Sequence, residues 1–398
     1  MWLLLSSMYV AFLGLTDIVI DLIAVNYYRV DAVTLGLLNS LWIFVYIVAS
    51  RLASRIAENK GSRSLVIISI LATLLLFTFL FTPGNFYYLV ISQILHSLSV
   101  ALIRNSISIT ILNSLESEGW DNTNRMFFQF SMFFEGIFLY GTSLFSLVSL
   151  INSRTVFSVI FLATGILLFL FMPSGKLSFS RDLFRIEKNL NLSLSSVSIL
   201  SSIGYEPLYV PSKARILSHM LETRQTLTVS EVLVSVAGFR LSNSFFFTPL
   251  AFILLRILGL SSESVLAIYG LAKIAASISL YFFPSYFSRR LAVTVLMFRL
   301  LVMAFFVGSL LTHSYELIIT LTLTYLFNVA LDAKFYSLYI EASLASNPST
   351  YSIVSEFSSM VGALTSGYLI ALGGLPTTLA SILVTTLVSS RAIIKTSS

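Results

Sequence analysis

Long apolar segments dominate this chain and constrain its fold more than any other feature. About twelve of them, each near the ~20 residues that a helix needs to cross a bilayer, lie on either side of a polar stretch at residues 174–230. Charged residues make up 11% of the chain, against ~25% in soluble domains, so lipid must solvate most of its surface. The sequence therefore predicts an all-α membrane protein of about 12 transmembrane helices.

The second set of apolar segments resembles the first. Residues 100–117 (VALIRNSISITILNSLES) and residues 329–346 (VALDAKFYSLYIEASLAS) match at eight of eighteen positions, and Asp17 in the first segment corresponds to Asn243 in the seventh. This repeat predicts two pseudo-symmetric six-helix bundles. The predicted units are an N-terminal bundle at 1–173, a cytoplasmic connector with a short amphipathic helix at 174–230, and a C-terminal bundle at 231–398.

The distribution of Lys and Arg predicts the orientation in the membrane. Cytoplasmic loops carry an excess of these residues, and the predicted loop after the second segment contains Arg51, Arg55, Lys60 and Arg63. An even number of spans then places both termini on the cytoplasmic side. The expected location is the cell membrane.

Two carboxylates lie inside the first predicted span. Asp17 and Asp21 are four residues apart, so they share one face of a helix, and together they would cost ~5–7 kcal/mol if they faced lipid. Facing a water-filled cavity instead, they could bind a cation or exchange a proton. The alternative for Asp21 is a solvated position near the outer surface.

Further charged residues occur in the predicted spans, where such groups persist if they line water or pair with one another. Glu135 and Lys273 lie near the middle of their segments, and the alternative for Glu135 is a structural hydrogen bond between helices. Arg104 and Arg240 could also extend toward the membrane surface, and Arg299 is interpreted as structural. The predicted substrate and ion pathway comprises Asp17, Asp21, Arg104, Glu135, Arg240, Asn243, Lys273, Asn328 and Asp332.

A loop motif and the layout of the chain carry a resemblance to a known family. Between the second and third predicted spans the chain reads Ser50-Arg51-Leu52-Ala53-Ser54-Arg55-Ile56, and Gly61-Ser62-Arg63 follows. Two six-span halves joined by a long connector, with this basic loop, resemble the major facilitator superfamily. The usual motif of that family is Gly-x-Leu-Ala-Asp-Arg-x-Gly-Arg-Arg, and Ser54 stands here in the place of the aspartate. The resemblance assigns no subfamily.

The resemblance implies alternating access between two bundles. In that family, spans one, four, seven and ten line the path, spans two, five, eight and eleven flank it, and the loop motif latches the two halves in one conformation. The residues to which the latch role carries over are Arg51, Arg55, Glu58, Arg63 and Glu356. The alternative is that the loop arginines only set the topology.

Together these observations predict a secondary transporter for a small solute, with coupling to H⁺ or Na⁺ as a further hypothesis. The chain has no cysteine and no Walker A pattern, which excludes thiolate metal sites, a cysteine nucleophile and ATP hydrolysis by a P-loop. We expect no catalytic residue, metal, cofactor or nucleic-acid partner, and a monomer in the lipid bilayer. Two alternatives stay open: a membrane-embedded lipid or glycan transferase, with His96 as the one histidine in a predicted span, and a non-transporting receptor.

Overall fold

The structure is a computed structural model in which the chain forms helices throughout its described parts. These are residues 1–82, 84–114, 120–145, 154–173, 228–282, 289–309, 314–343 and 348–395. The predicted connector at 174–230 lies almost wholly outside the described residues, so its amphipathic helix stays a prediction.

The long helices are labelled in chain order. They are α1 (Trp2–Asn26), α2 (Ala32–Lys60), α3 (Ser62–Leu80), α4 (Phe86–Ser114), α5 (Trp120–Thr142), α6 (Arg154–Phe171), α7 (Val229–Phe247), α8 (Ser262–Phe282), α9 (Arg289–Ser309), α10 (Ser314–Ser343) and α11 (Pro348–Lys395). A short helical turn, Leu250–Phe252, and a π-helical turn, Ile253–Ile257, continue α7.

Eight helical segments of the described chain are long and apolar enough to cross a membrane. The last of them, Thr350–Ile393, is 44 residues long, roughly twice the length of one span. Gly374 interrupts it, because its backbone leaves the helical conformation at φ 65° and ψ −158°. The prediction of a multi-pass all-α membrane protein is confirmed, whereas 12 spans in two bundles stay a prediction.

Helices α1–α6 meet helices α7–α11 where α2 packs against α11 and α5 packs against α8. Glycines allow the backbones to approach closely at both crossings. A Cβ atom on Gly36 of α2 would stand 2.7 Å from the carbonyl oxygen of Ala363, and one on Gly136 of α5 would stand 2.8 Å from that of Gly270. A side chain at either position would therefore force the two sets of helices apart.

Polar contacts join the two sets of helices at the carboxyl end of α1. The Asn26 Nδ2 donates to Ser262 Oγ at 2.5 Å, and the Arg256 Nη2 donates to the Val25 carbonyl oxygen at 2.7 Å. The second bond satisfies one of the carbonyl groups that a helix end leaves without an intrahelical partner. The junction is the surface along which the two sets of helices meet, and we call Val25, Asn26, Arg256 and Ser262 its closed end.

Helix α2 begins beside the closed end with a side-chain cap. The Asp31 carboxylate accepts a 2.8 Å hydrogen bond from the Thr34 amide. Hydrogen bonding to Thr34 lowers the pKa of Asp31, so the charged cap contributes stability at neutral pH and loses it as the pH falls through that lowered pKa. Because asparagine caps helices as well as aspartate does, Asp31→Asn should leave this helix start intact.

Gly136→Leu is expected to lower the thermal stability of the protein, because the new side chain must displace Ile274 and the Gly270 carbonyl group of α8. Overpacking of this kind costs ~1–3 kcal/mol. Gly141→Leu is the matched control on the same helix, since no described atom outside its chain neighbours and its own helix backbone lies within 4 Å of the position of its Cβ. Thermal unfolding in detergent measures both variants, and equal melting temperatures would contradict the close crossing of α5 and α8.

Candidate functional site

A cavity of about 460 Å³ lies where helices α1–α6 meet helices α7–α11. Its volume is within the ~300–1,000 Å³ that is usual for small-molecule sites. Residues of α1, α4, α5, α7, α8 and α10 form most of the wall, and α2 and α11 complete it. Both polar and apolar side chains face the space.

All nine residues of the predicted pathway line this cavity. They are Asp17, Asp21, Arg104, Glu135, Arg240, Asn243, Lys273, Asn328 and Asp332. The structure thus brings together polar groups that lie on six helices and far apart in sequence. Their convergence is a geometric finding, and their role in moving a solute stays a prediction.

Carboxylates of α1 form one wall of the cavity. Asp17 is half exposed, and its Oδ1 lies 3.3 Å from the Nε2 of the buried His96. Asn39 hydrogen-bonds to Asp21, and the Gln93 Nε2 donates to the Asn39 Oδ1 at 3.4 Å. We call Asp17, Asp21 and His96 the acid wall. Sequence reasoning missed the supporting amides, although a lone Asn and a lone Gln inside apolar helices were a usable signal.

A salt bridge between Glu135 Oε1 and Lys273 Nζ joins α5 to α8 across the junction. Both side chains are mostly buried, at 15% and 14% exposure. The Lys273 Nζ also lies 5.3 Å from the centroid of the Tyr325 ring. The Glu135 carboxylate rests on Gly14 of α1, where a Cβ atom would overlap it. The position of the Glu135 carboxylate in this ion pair therefore requires a glycine at position 14 of α1.

A second group of charges lies on the opposite wall. The Arg240 Nη2 is 3.4 Å from the Asp332 Oδ1, which links α7 to α10. Glu356 of α11 also lines the cavity and interacts electrostatically with Arg240 and Arg104. Two carboxylates, those of Asp332 and Glu356, therefore interact with Arg240.

The predicted latch residues do not share one location. Glu356 lines the cavity, whereas the Arg63 Nε donates to the Met172 carbonyl oxygen at 2.8 Å beyond the end of α6. Arg51 and Arg55 are exposed on α2. The side chain of the fifth predicted member, Glu58, lies outside the described residues, and the latch role of the set stays a prediction.

Arg299 of α9 is completely buried behind the cavity. Its guanidinium group donates to the Asn328 Oδ1 at 2.6 Å, to the Ser242 Oγ at 2.8 Å and to the Asn243 Oδ1. The group also lies over the Phe239 ring, 5.0 Å from its centroid. Arg299 therefore contacts two cavity-lining residues directly, although the sequence pattern placed it on a helix away from the path.

The sequence matches no family model and no curated protein. Among solved structures, one described as giving structural insights into substrate recognition in proton-dependent oligopeptide transporters matches with a TM-score of 0.62 and 13% sequence identity. The match covers 99% of this chain and 94% of that chain. This similarity shows that the two chains share a fold.

Glu135→Gln and Lys273→Met are each expected to destabilise the protein, because each leaves the other charge without its partner in a poorly solvated place. Breaking a buried pair costs ~3–5 kcal/mol. This pair is partly exposed to the cavity, which favours the lower part of that range. The double variant should cost less than the sum of the single ones. Unfolding in a mixed-detergent titration measures the cycle, and additive losses would contradict a direct pairing.

Proposed function

We propose that this chain is a secondary transporter that moves a small polar solute across the cell membrane by alternating access. Two six-helix bundles, corresponding to residues 1–173 and 231–398, would rock about the cavity. The observation that carries the proposal is the convergence of nine polar residues on that cavity. A charged residue costs ~2.5–3.5 kcal/mol at the centre of a span, and a solvated transport path is a physical reason for a chain to keep several.

The proposed orientation places both termini in the cytoplasm, as the basic loop after α2 favours. Helix α1 then runs outward, and the closed end faces the exterior. The polar contacts of Asn26 and Arg256 with the opposite set of helices would be those that break when the cavity opens outward. The present arrangement would accordingly be the one that releases solute to the cytoplasm.

Proton coupling is proposed at the acid wall. Asp17 and Asp21 lie one helical turn apart, and His96 reaches the more exposed of them. Protonation would remove negative charge from this wall and lower the cost of closing it around a solute. The proton dependence of the structurally similar transporters favours H⁺ over Na⁺ as the first ion to test.

The cavity carries charges of both signs, which suits a solute that also carries both. Oligopeptides, which the structurally similar transporters carry, are therefore the first solutes to test here. A thermal-shift screen of the purified monomer against a library of peptides, amino acids, sugars and organic ions would find the solute that stabilises it best.

Asp17→Asn is expected to abolish accumulation of that solute under an inward-directed proton gradient, because an amide side chain does not exchange the proton. Uptake should fall to the level of protein-free liposomes. Exchange of labelled for unlabelled solute without a gradient should persist. Radiolabelled uptake by proteoliposomes measures both activities.

Asp31→Asn is the matched control for this charge removal, since Asp31 caps α2 outside the cavity and asparagine keeps the cap. It should accumulate solute as the unsubstituted protein does. Uptake that is indifferent both to the pH gradient and to Asp17→Asn would eliminate proton coupling. Specific binding without any flux would favour the receptor over the transporter.

Alternating access can be tested without knowing the solute, because the chain has no cysteine of its own. A Ser108→Cys reporter on the cavity wall should react with a membrane-impermeant thiol reagent from either side of the membrane. Adding Asn26→Cys and Ser262→Cys and oxidising the pair should confine labelling to the cytoplasmic side. Reduction of the disulfide should restore labelling from outside.

The reporter with Asn26→Cys alone serves as the control, since a single thiol at the closed end cannot lock it. Oriented membrane vesicles and mass spectrometry of the labelled protein give the readout. Equal labelling from both sides after complete oxidation would show that the closed end does not control access, and the rocking model would then fail.

A further inference from the structure

Asn243 of α7 and Asn328 of α10 are held from behind by one buried cation. The guanidinium group of Arg299 is 0% exposed and donates to the side-chain oxygen of each asparagine, at 2.6 Å for Asn328. Both asparagines also line the cavity. The contact between Arg299 and the cavity is therefore indirect and passes through two carboxamide groups.

The chemistry of these groups fixes how each carboxamide must be turned. Arginine carries only hydrogen-bond donors, whereas a carboxamide has an oxygen acceptor and an NH₂ donor. Only the oxygens can therefore face Arg299, and the amide orientation follows from the partner rather than from a choice between similar atoms. A third bond, from Nη1 to Ser242 Oγ at 2.8 Å, and the Phe239 ring hold the guanidinium plane itself.

What remains for a ligand is the NH₂ group of each asparagine. Within the described residues, neither NH₂ group is hydrogen-bonded to a protein acceptor. NH₂ donors on two cavity-lining residues are costly to leave unpaired once water is expelled. They therefore favour a solute that brings an acceptor to this point.

We propose that Arg299 is a positioning residue that presents Asn243 and Asn328 as a pair of hydrogen-bond donors, and that this pair binds a carboxylate oxygen of the solute. The inference deepens the proposed transport function and rests on it, because only a transporter would carry the ligand as a solute. The donor pair itself can be measured without transport. The acid wall stands on the other set of helices, so the two walls would hold opposite ends of one molecule.

The electrostatics of the wall agree with this assignment. Arg240, one turn before Asn243, is offset by Asp332 at 3.4 Å, and Lys273 is paired with Glu135. The nearby cations are therefore largely compensated by protein carboxylates. Neutral donors backed by a buried guanidinium group can add hydrogen bonds to an anion without adding another exposed charge to the membrane interior.

The test uses the full chain in lipid nanodiscs with ¹⁵N only in asparagine side chains, and sodium acetate as the probe. Asn243→Ser and Asn328→Ser assign the two NH₂ signals. Both NH₂ groups should exchange protons with water, and acetate should shift both signals in a saturable way while sodium chloride at equal concentration should not. Asn26 and Asn105 are internal controls, because their Nδ2 atoms donate to Ser262 and to Ala101 and should respond to neither salt.

Arg299→Met should abolish the acetate-dependent shift of both signals by releasing the carboxamides. Since that variant leaves the side-chain oxygens of both asparagines without a donor and could fail to fold, Asn243→Asp provides a second measurement. Its carboxylate still accepts from Arg299, so the helices should stay together, but the group that faces the cavity changes from donor to acceptor. The acetate-dependent shift of Asn328 should then be lost.

Each outcome is decisive. NH₂ groups that exchange as slowly as that of Asn105, or that acetate leaves unshifted, would overturn the assignment of the donor pair. An acetate response that survives Arg299→Met would overturn the positioning role. A shift of the Asn328 signal that survives Asn243→Asp would overturn the joint action of the two donors. None of these results depends on flux, so a protein that fails the uptake assays but shows the acetate response would refute the transporter and keep the anion site.

Discussion

The structure depends on one constraint: a charged side chain inside a hydrocarbon layer must meet water or an opposite charge. This chain carries many such residues in its spans, and a helix at the surface of the assembly could not keep them. They accordingly determine which helix faces turn inward, and the cavity forms where these faces meet. The apolar remainder of each helix is left to lipid, as the exposed Leu71, Ile278 and Leu301 illustrate.

The charged pairs differ in whether they lie within one set of helices or join the two sets. Asp17 with His96, and Arg240 with Asp332, each pair within one set of helices. The Glu135–Lys273 salt bridge joins the two sets, beside a crossing where glycine backbones touch. Separation of α5 from α8 would expose both charges unless a ligand or a proton compensates them. In the proposed transport function, movement of the helices and occupancy of the cavity would therefore be energetically linked.

The sequence was enough to predict the class of fold and the charged residues that line the cavity, because both follow from the cost of charge in lipid. Asp17, Glu135 and Lys273 could be selected by depth in a span alone. Their partners could not, because residues 138 positions apart meet only through the angles at which helices pack. The sequence indicated a structural role for Arg299, but nothing local shows that its side chain reaches Asn243. The crossing glycines also depend on a neighbour that a linear pattern does not reveal.

The internal repeat adds a reason why the two walls differ. Asp17 and Asn243 occupy corresponding positions of the repeat, and both line the cavity. A symmetric pair of carboxylates there would repel an anionic group from both sides, whereas an amide at one copy supplies a donor in place of the charge. Arg299 then determines which atom of that amide faces the cavity. The two walls thus differ, with carboxylates on one side and amide donors on the other, and in the proposed function a solute would have to match both.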